Sequence, residues 1–214
     1  MAYYPIFVEM AGRRVIVVGG GKVAEGKVEG LVNAGGDVTV VAPDITPDLQ
    51  AKLTAGVIRY QAHEYRDGDL EGFDVCFVAT DDGAVNAAVA QEGKRRRIWV
   101  NAADDPKYCD FILPSVVRRG EVVVAASTGG ASPALARRLR EDLTAFLSED
   151  YAPLAELLSQ VRNDLRSRNL AVAADTWQSA MDGRFRALVA QGRVDEARAH
   201  LLNGLGVAGE LAEP

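Results

Sequence analysis

The chain has 214 residues and a formal net charge of −6, and 48% of its residues are hydrophobic, as in an ordinary globular protein with one or two domains. The acidic balance speaks against general nucleic-acid binding, and no apolar run reaches the roughly 20 residues of a membrane span. The first residues do not read as a secretory leader, and the two cysteines, Cys76 and Cys109, lack metal-ligand spacing, so a reduced, cytoplasmic setting is expected with Cys76 as a core thiol.

Residues 15–18 form an apolar, β-branched run that predicts a strand buried on both faces. Gly19, Gly20 and Gly21 follow. A helical pattern then places Val23, Ala24, Leu31 and Val32 on one side and stops at Gly35-Gly36, where glycine can take the left-handed cap. In this strand, turn and helix setting, Gly19, Gly21 and Ala24 fit G-x-G-x-x-G/A, the dinucleotide fingerprint. Gly19 permits the tight turn, Gly21 lets a pyrophosphate approach the backbone, and Ala24 lets the helix pack closely. The helix N-terminus offers free N–H groups to the phosphates. The bland alternative is a strand-to-helix turn that happens to be rich in glycine.

The second strand is expected at residues 38–42 and ends at Pro43-Asp44. Asp44 is the candidate ribose partner, slightly late for that role. No arginine follows closely, which favours NAD over NADP. Residues 45–55 read as a helix with Thr46 as N-cap and Pro47 at its first position. Residues 57–60 read as a third strand, 63–72 as a polar loop and 74–79 as a fourth strand. Thr80-Asp81-Asp82 then caps a helix to about residue 94, and residues 98–100 form a fifth strand leading into Asn101. Arg95, Arg96 and Arg97 are expected as surface charge closing that helix. Alternating strands and helices imply a Rossmann-like, doubly wound parallel sheet whose ligand sits beyond the carboxyl ends of the strands. Three polar loops lie there, at residues 19–24, 80–82 and 101–107. The cofactor-binding candidates are Gly19, Gly21, Lys22, Val23, Ala24, Pro43, Asp44, Thr80, Asp81 and Asn101.

Beyond residue 110 the pattern changes. Residues 111–117 and 121–126 read as a β-hairpin around Arg118-Arg119-Gly120, and its exposed edges call for a partner subunit. Ser132 as N-cap and Pro133 start a helix to about residue 147, whose face carries Arg137, Arg138 and Arg140. Helices are expected at 151–168, 173–191 and 193–203, stopped by Gly192 and Gly204, with a loose tail at 205–214.

These motifs, in this order and spacing, resemble the precorrin-2 dehydrogenase family, the dehydrogenase/ferrochelatase module of siroheme synthase that also occurs as a stand-alone enzyme. The matching residues are Pro5-Ile6-Phe7, the run from Val17 through Gly19, Gly20, Gly21 and Lys22 to Ala24, and Ala79-Thr80-Asp81-Asp82 with Asn86. Asn101-x-x-Asp104-x-Pro106 with Phe111-x-x-Pro114-Ser115, and Ser127-x-Gly129-Gly130-x-Ser132-Pro133, complete the set. The likeness is specific over residues 3–145; the helical remainder fits in kind and length. The methyltransferase module of the fused synthases is not present in these 214 residues.

The resemblance implies three parts: an NAD-binding Rossmann domain at 1–112, a dimerisation segment of hairpin plus helix at 113–148, and an all-α C-terminal domain at 149–214. It implies NAD-dependent oxidation of precorrin-2 to sirohydrochlorin by a homodimer, with Fe²⁺ insertion in some members. The family's key carboxylate maps onto Asp104, expected as the general base; the alternative is a turn-former ahead of Pro106. A tetrapyrrole rich in carboxylates needs cations and free N–H groups. The substrate-binding candidates are Lys107, Thr128, Gly129, Gly130, Ser132, Arg137 and Arg138, the arginines equally readable as a solvated helix face. His63 and His200 are far apart in sequence, so no stable metal site is expected. A regulatory module that senses NAD without catalysis is the reading from another class. It explains the glycine turn but leaves the loops at 101–106 and 129–133 without a role.

Overall fold

The computed structural model describes residues 3–102 and 105–210. The chain divides into two compact units between Leu113 and Pro114.

The first unit is a parallel sheet of β1 (Arg14–Val18), β2 (Asp37–Ala42), β3 (Arg59–Ala62), β4 (Val75–Val78) and β5 (Trp99–Ala102), in the order β3-β2-β1-β4-β5. Strand β1 is buried on both faces, as its sequence requires. Val15 and Val17 pack with Ala24, Val28 and Leu31 of α1 (Lys22–Asn33), while Ile16 and Val18 join Cys76, Val78, Val89 and Val100 on the other side. The order reverses between β1 and β4, so a crevice opens there at the carboxyl ends. Helix α1 ends as expected, with Gly35 at φ 79°. Its inward stripe is Ala24, Val28 and Leu31, spaced i, i+4, i+7; Val23 lies one step round the helix and is 54% exposed.

Helix α2 (Pro47–Thr54) is capped by Thr46, as expected, but β3 starts two residues later than its apolar run. The reason is local. Gly56 turns left-handed and Val57 N–H donates to Lys52 O, so the start of the run closes the helix before the strand begins.

Helix α3 (Gly83–Arg96) returns the chain to β5. It carries Glu92, a charged residue with no exposure, which accepts Tyr65 Oη–H at 2.5 Å and Arg96 Nε–H at 2.6 Å. Arg96 is therefore a structural partner rather than plain surface charge. Arg96→Met removes one of two donors from a buried carboxylate and is expected to destabilise the protein by roughly 3 kcal/mol. A urea titration measures this, and an unchanged midpoint would refute it.

The second unit opens with an antiparallel hairpin, β6 (Ser115–Arg119) and β7 (Val122–Ala126), turning at Gly120 with φ 56°. Phe111, expected in its first strand, instead packs edge-on to Phe77 of the first unit at 5.5 Å, so the extended run is split. Helix α4 (Pro133–Phe146) follows, capped by Ser132 and buried at none of its residues. Then come α5 (Tyr151–Ser167), α6 (Ala174–Ala180), α7 (Gly183–Ala190) and α8 (Val194–Gly204) around a core of Leu157, Val161, Phe185 and Leu201.

The single helix expected at 173–191 is two helices. Asp182 interrupts it, capping α7 by accepting Phe185 N–H at 2.8 Å and holding His200 Nε2 at 3.0 Å. Helix α8 ends at Gly204, the expected stop, and Gly206, φ 73°, then folds the chain back so that Leu205 and Val207 are buried. The expected loose tail is thus part of the core as far as it is described.

Candidate functional site

The glycine turn is built by close packing. Gly19 has φ 118°, and a Cβ there would come within 2.7 Å of Ala79 C and closer to its oxygen. A Cβ on Gly20 would meet Ala42 Cβ and Asp44 C at 3.0 Å, and the Asp44 carbonyl oxygen closer still. These two glycines let the ends of β1, β2 and β4 converge. Gly19 N–H donates to Val41 O at 2.9 Å, and Thr46 N–H donates to Gly20 O at 3.0 Å. Tyr60 Oη lies 2.9 Å from both Ala42 O and Pro43 O and holds the bend that presents Asp44. Sequence reasoning missed this support.

Gly21 is different. Its backbone is ordinary and extended (φ −87°, ψ −169°), and among the described residues a Cβ there would touch nothing within 4 Å. Nothing in the fold requires glycine at this position; the space is open to a ligand. It is also the N-cap of α1, and no side chain caps that helix, whereas α2 and α3 are capped by Thr46 and Asp82. Among the described residues the first-turn N–H groups have no side-chain cap, the arrangement that suits an anion. Lys22 leans away to Glu25 and to Asp48, 3.5 Å distant, and those carboxylates raise its pKa, Glu25 chiefly. Ala24 has no exposure and Val23 is outside.

After β4, Asp82 accepts Ala84 N–H at 2.8 Å, and Thr80 Oγ1 accepts Asp82 N–H at 3.1 Å. Asp81 is exposed. Thr80 and Asp81 thus stand beside the glycine turn, which packs on Ala79.

After β5 the arrangement is less open. Asn101 is 5% exposed; its Nδ2 donates to Phe111 O at 2.9 Å, and its Oδ1 accepts from Lys27 Nζ at 3.4 Å. Its bonds tie β5 to α1 and to the returning chain rather than reaching into the crevice. Cys109 completes the fastening, with Sγ 3.3 Å from Ala102 N and 3.1 Å from Ala102 O. Burial pushes its thiol pKa up. Asp110 accepts Val100 N–H at 2.8 Å and returns its own N–H to Val100 O at 2.8 Å. Cys109 and Asp110 are thereby fastened to the end of β5. Asp104 lies outside the described residues. Lys107 is exposed, paired with Asp105 at 3.0 Å.

In the second unit, Thr128 Oγ1 donates to Ser132 O at 3.2 Å and accepts Ser132 N–H at 3.1 Å, closing a loop in which Gly129 and Gly130 have φ 63° and 86°. Ser132 caps α4 through Leu135 N–H at 3.2 Å. Arg137 is exposed on that helix, and Arg138 pairs with Asp142 at 3.1 Å. Among the described residues, no group of three His, Cys, Asp or Glu is placed to hold a metal ion.

An NAD(P)-binding family model matches residues 6–115, and one described as "Sirohaem biosynthesis protein central" matches residues 120–145. The siroheme synthase of Photorhabdus laumondii is 38% identical over 217 residues, covering 99% of this chain and 46% of that protein. The siroheme synthase of Methylococcus capsulatus is 38% identical, covering 100% of this chain and 46% of its own length. A solved structure, "SirC, precorrin-2 dehydrogenase", superposes with a TM-score of 0.75 at 29% identity over 92% of this chain and 98% of that one.

The chain belongs to the precorrin-2 dehydrogenase family.

This family member spans about half the length of the siroheme synthases it matches. A nicotinamide cofactor fits the residues present. Gly21 leaves open space at an uncapped helix N-terminus, and Thr80 and Asp44 flank the same turn. Lys27, Tyr60, Cys109 and Asp110 carry no ligand-type signal in the sequence, yet their hydrogen bonds hold the ends of β2 and β5.

Proposed function

We propose that this chain oxidises precorrin-2 to sirohydrochlorin in siroheme biosynthesis, with NAD⁺ as the hydride acceptor. The observation that carries the reading is the likeness, over nearly the whole of both chains, to a solved precorrin-2 dehydrogenase. Asp44 supports NAD over NADP, because a carboxylate beside the turn would repel a 2′-phosphate. Gly19, Gly21, Lys22, Val23, Ala24, Pro43, Asp44, Thr80 and Asp81 form the cofactor side of the site. Asn101 acts from below, fixing the end of β5.

Bound NAD⁺ supplies the hydride acceptor. The substrate's other loss is a proton, and Asp104 is the general base that takes it. Lys107, the loop of Thr128, Gly129, Gly130 and Ser132, and Arg137 and Arg138 meet the substrate's carboxylates. The setting is cytoplasmic, in keeping with two cysteines that are free thiols.

Anaerobic incubation of precorrin-2 with NAD⁺, followed by absorbance, tests the reading. Sirohydrochlorin and NADH should appear together. Binding of NAD⁺ with no oxidation would favour the regulatory module instead. Adding Fe²⁺ or Co²⁺ as substrate then asks whether the same chain also makes the metallated product.

The working unit is a homodimer joined through the hairpin and α4. That helix buries none of its residues within the chain, and Leu135 and Phe146 are 51% and 72% exposed. Light scattering should give twice the 22.9 kDa chain mass, and Leu135→Arg with Phe146→Arg should halve it. A wild-type mass of one chain would end the proposal.

A further inference from the structure

Asn86 is an anomaly in the first unit. Helix α3 buries Asn86, Val89, Ala90, Glu92 and Gly93; Glu92 is answered by Tyr65 and Arg96, whereas the Asn86 amide oxygen is not answered. Asn86 is 8% exposed, and its Oδ1 is sealed from solvent with no hydrogen-bond partner among the described residues. A buried amide oxygen left unpaired lowers stability, and an apolar residue of the same shape would avoid that loss. A group retained against its effect on stability points to a partner that arrives from outside.

Its location says which partner. Asn86 stands in the first turn of α3, with its N–H on Asp82 O at 3.0 Å, at the end of the helix that meets the carboxyl ends of the strands. That turn follows directly from Ala79 and Thr80, on which Gly19 packs. It therefore flanks the β1/β4 crevice, where the sheet order reverses. A ribose hydroxyl could answer one polar atom of an amide. The unpaired atom is the acceptor Oδ1, and the cofactor's primary carboxamide brings an N–H₂ donor to it while its own oxygen can accept from Nδ2. Turning the Asn86 amide over exchanges the two bonds without changing the partner.

We infer that Asn86 binds the carboxamide of the nicotinamide ring and so distinguishes the intact cofactor from dinucleotides lacking that group. The inference rests on the proposed use of NAD⁺ and names the residue that reads its reactive end.

Calorimetric titration of the full chain with NAD⁺, with ADP-ribose and with 3-acetylpyridine adenine dinucleotide, which lacks the carboxamide N–H₂, tests it. Wild type should prefer NAD⁺ to the acetylpyridine analogue. Asn86→Ala should lose roughly tenfold in affinity for NAD⁺ and nothing for ADP-ribose. Asn86→Leu should bind like Asn86→Ala while melting no lower than wild type, because it removes the unpaired amide without leaving a cavity. Three results would overturn the assignment: equal wild-type affinity for NAD⁺ and the acetylpyridine analogue, variants that keep the wild-type ratio of NAD⁺ to ADP-ribose, or equal losses for both ligands, which mark a structural residue. A wild type that binds none of the three removes the NAD⁺ reading, and this inference with it.

Discussion

Gly21→Ala should fold like the wild type and lose the dinucleotide, whereas Gly20→Ala should lose the turn itself. The two glycines are adjacent, yet opposite physics governs them. A Cβ on Gly21 meets no atom of the described residues within 4 Å, and its φ of −87° suits alanine, so the melting temperature should hold. What the methyl fills is the space above an uncapped helix N-terminus, and the affinity for NAD⁺ should fall roughly tenfold or more, or at least about 1.4 kcal/mol. At Gly20 the same methyl drives into the backbone of Asp44 and the side chain of Ala42. Neither can yield cheaply, because Ala42 ends a buried strand, so a loss of about 3 kcal/mol is expected. Thermal melts with and without NAD⁺ separate the two. A Gly21→Ala protein that binds NAD⁺ as tightly as wild type would mean that the turn is only a turn.

Asp104→Ala should abolish turnover and leave NAD⁺ binding intact. Loss of a general base typically costs about 10²–10⁴ in rate. Asp104→Asn, nearly isosteric but unable to accept the proton, should be as inactive. The wild-type kcat/KM should rise with pH as the base ionises, and both variants should lose that limb. Stopped-flow absorbance under anaerobic conditions, with NAD⁺ affinity measured separately, provides the check. If the Asn variant keeps the wild-type pH profile, another group takes the proton. If NAD⁺ affinity falls along with the rate, Asp104 is a structural member of its loop.

Much of this was visible along the chain because the signals are short in range. The β-branched run before Gly19 forms a strand buried on both faces, and Thr46, Asp82 and Ser132 cap the helices that follow them. Each of these depends on atoms within a few residues. The failures also had local causes. Gly56 closed a helix with residues assigned to a strand, and Asp182 broke one helix into two by accepting the Phe185 N–H. Both residues carry turn and cap chemistry that hydrophobic periodicity does not register.

The family, the parallel fold and the place of the glycine turn were determined by the sequence alone, because glycine spacing and strand–helix alternation restrict the backbone directly. Only the tertiary structure decided what the polar residues around the turn face. Asn101, a cofactor candidate by position, is turned inward to Lys27, 74 residues away in the chain, while Asn86, an unremarked member of a motif, keeps a buried oxygen without a partner among the described residues. A strand fixes where its side chains stand. Which of them is buried, paired or left waiting depends on distant segments packing against it, and no local pattern carries that information.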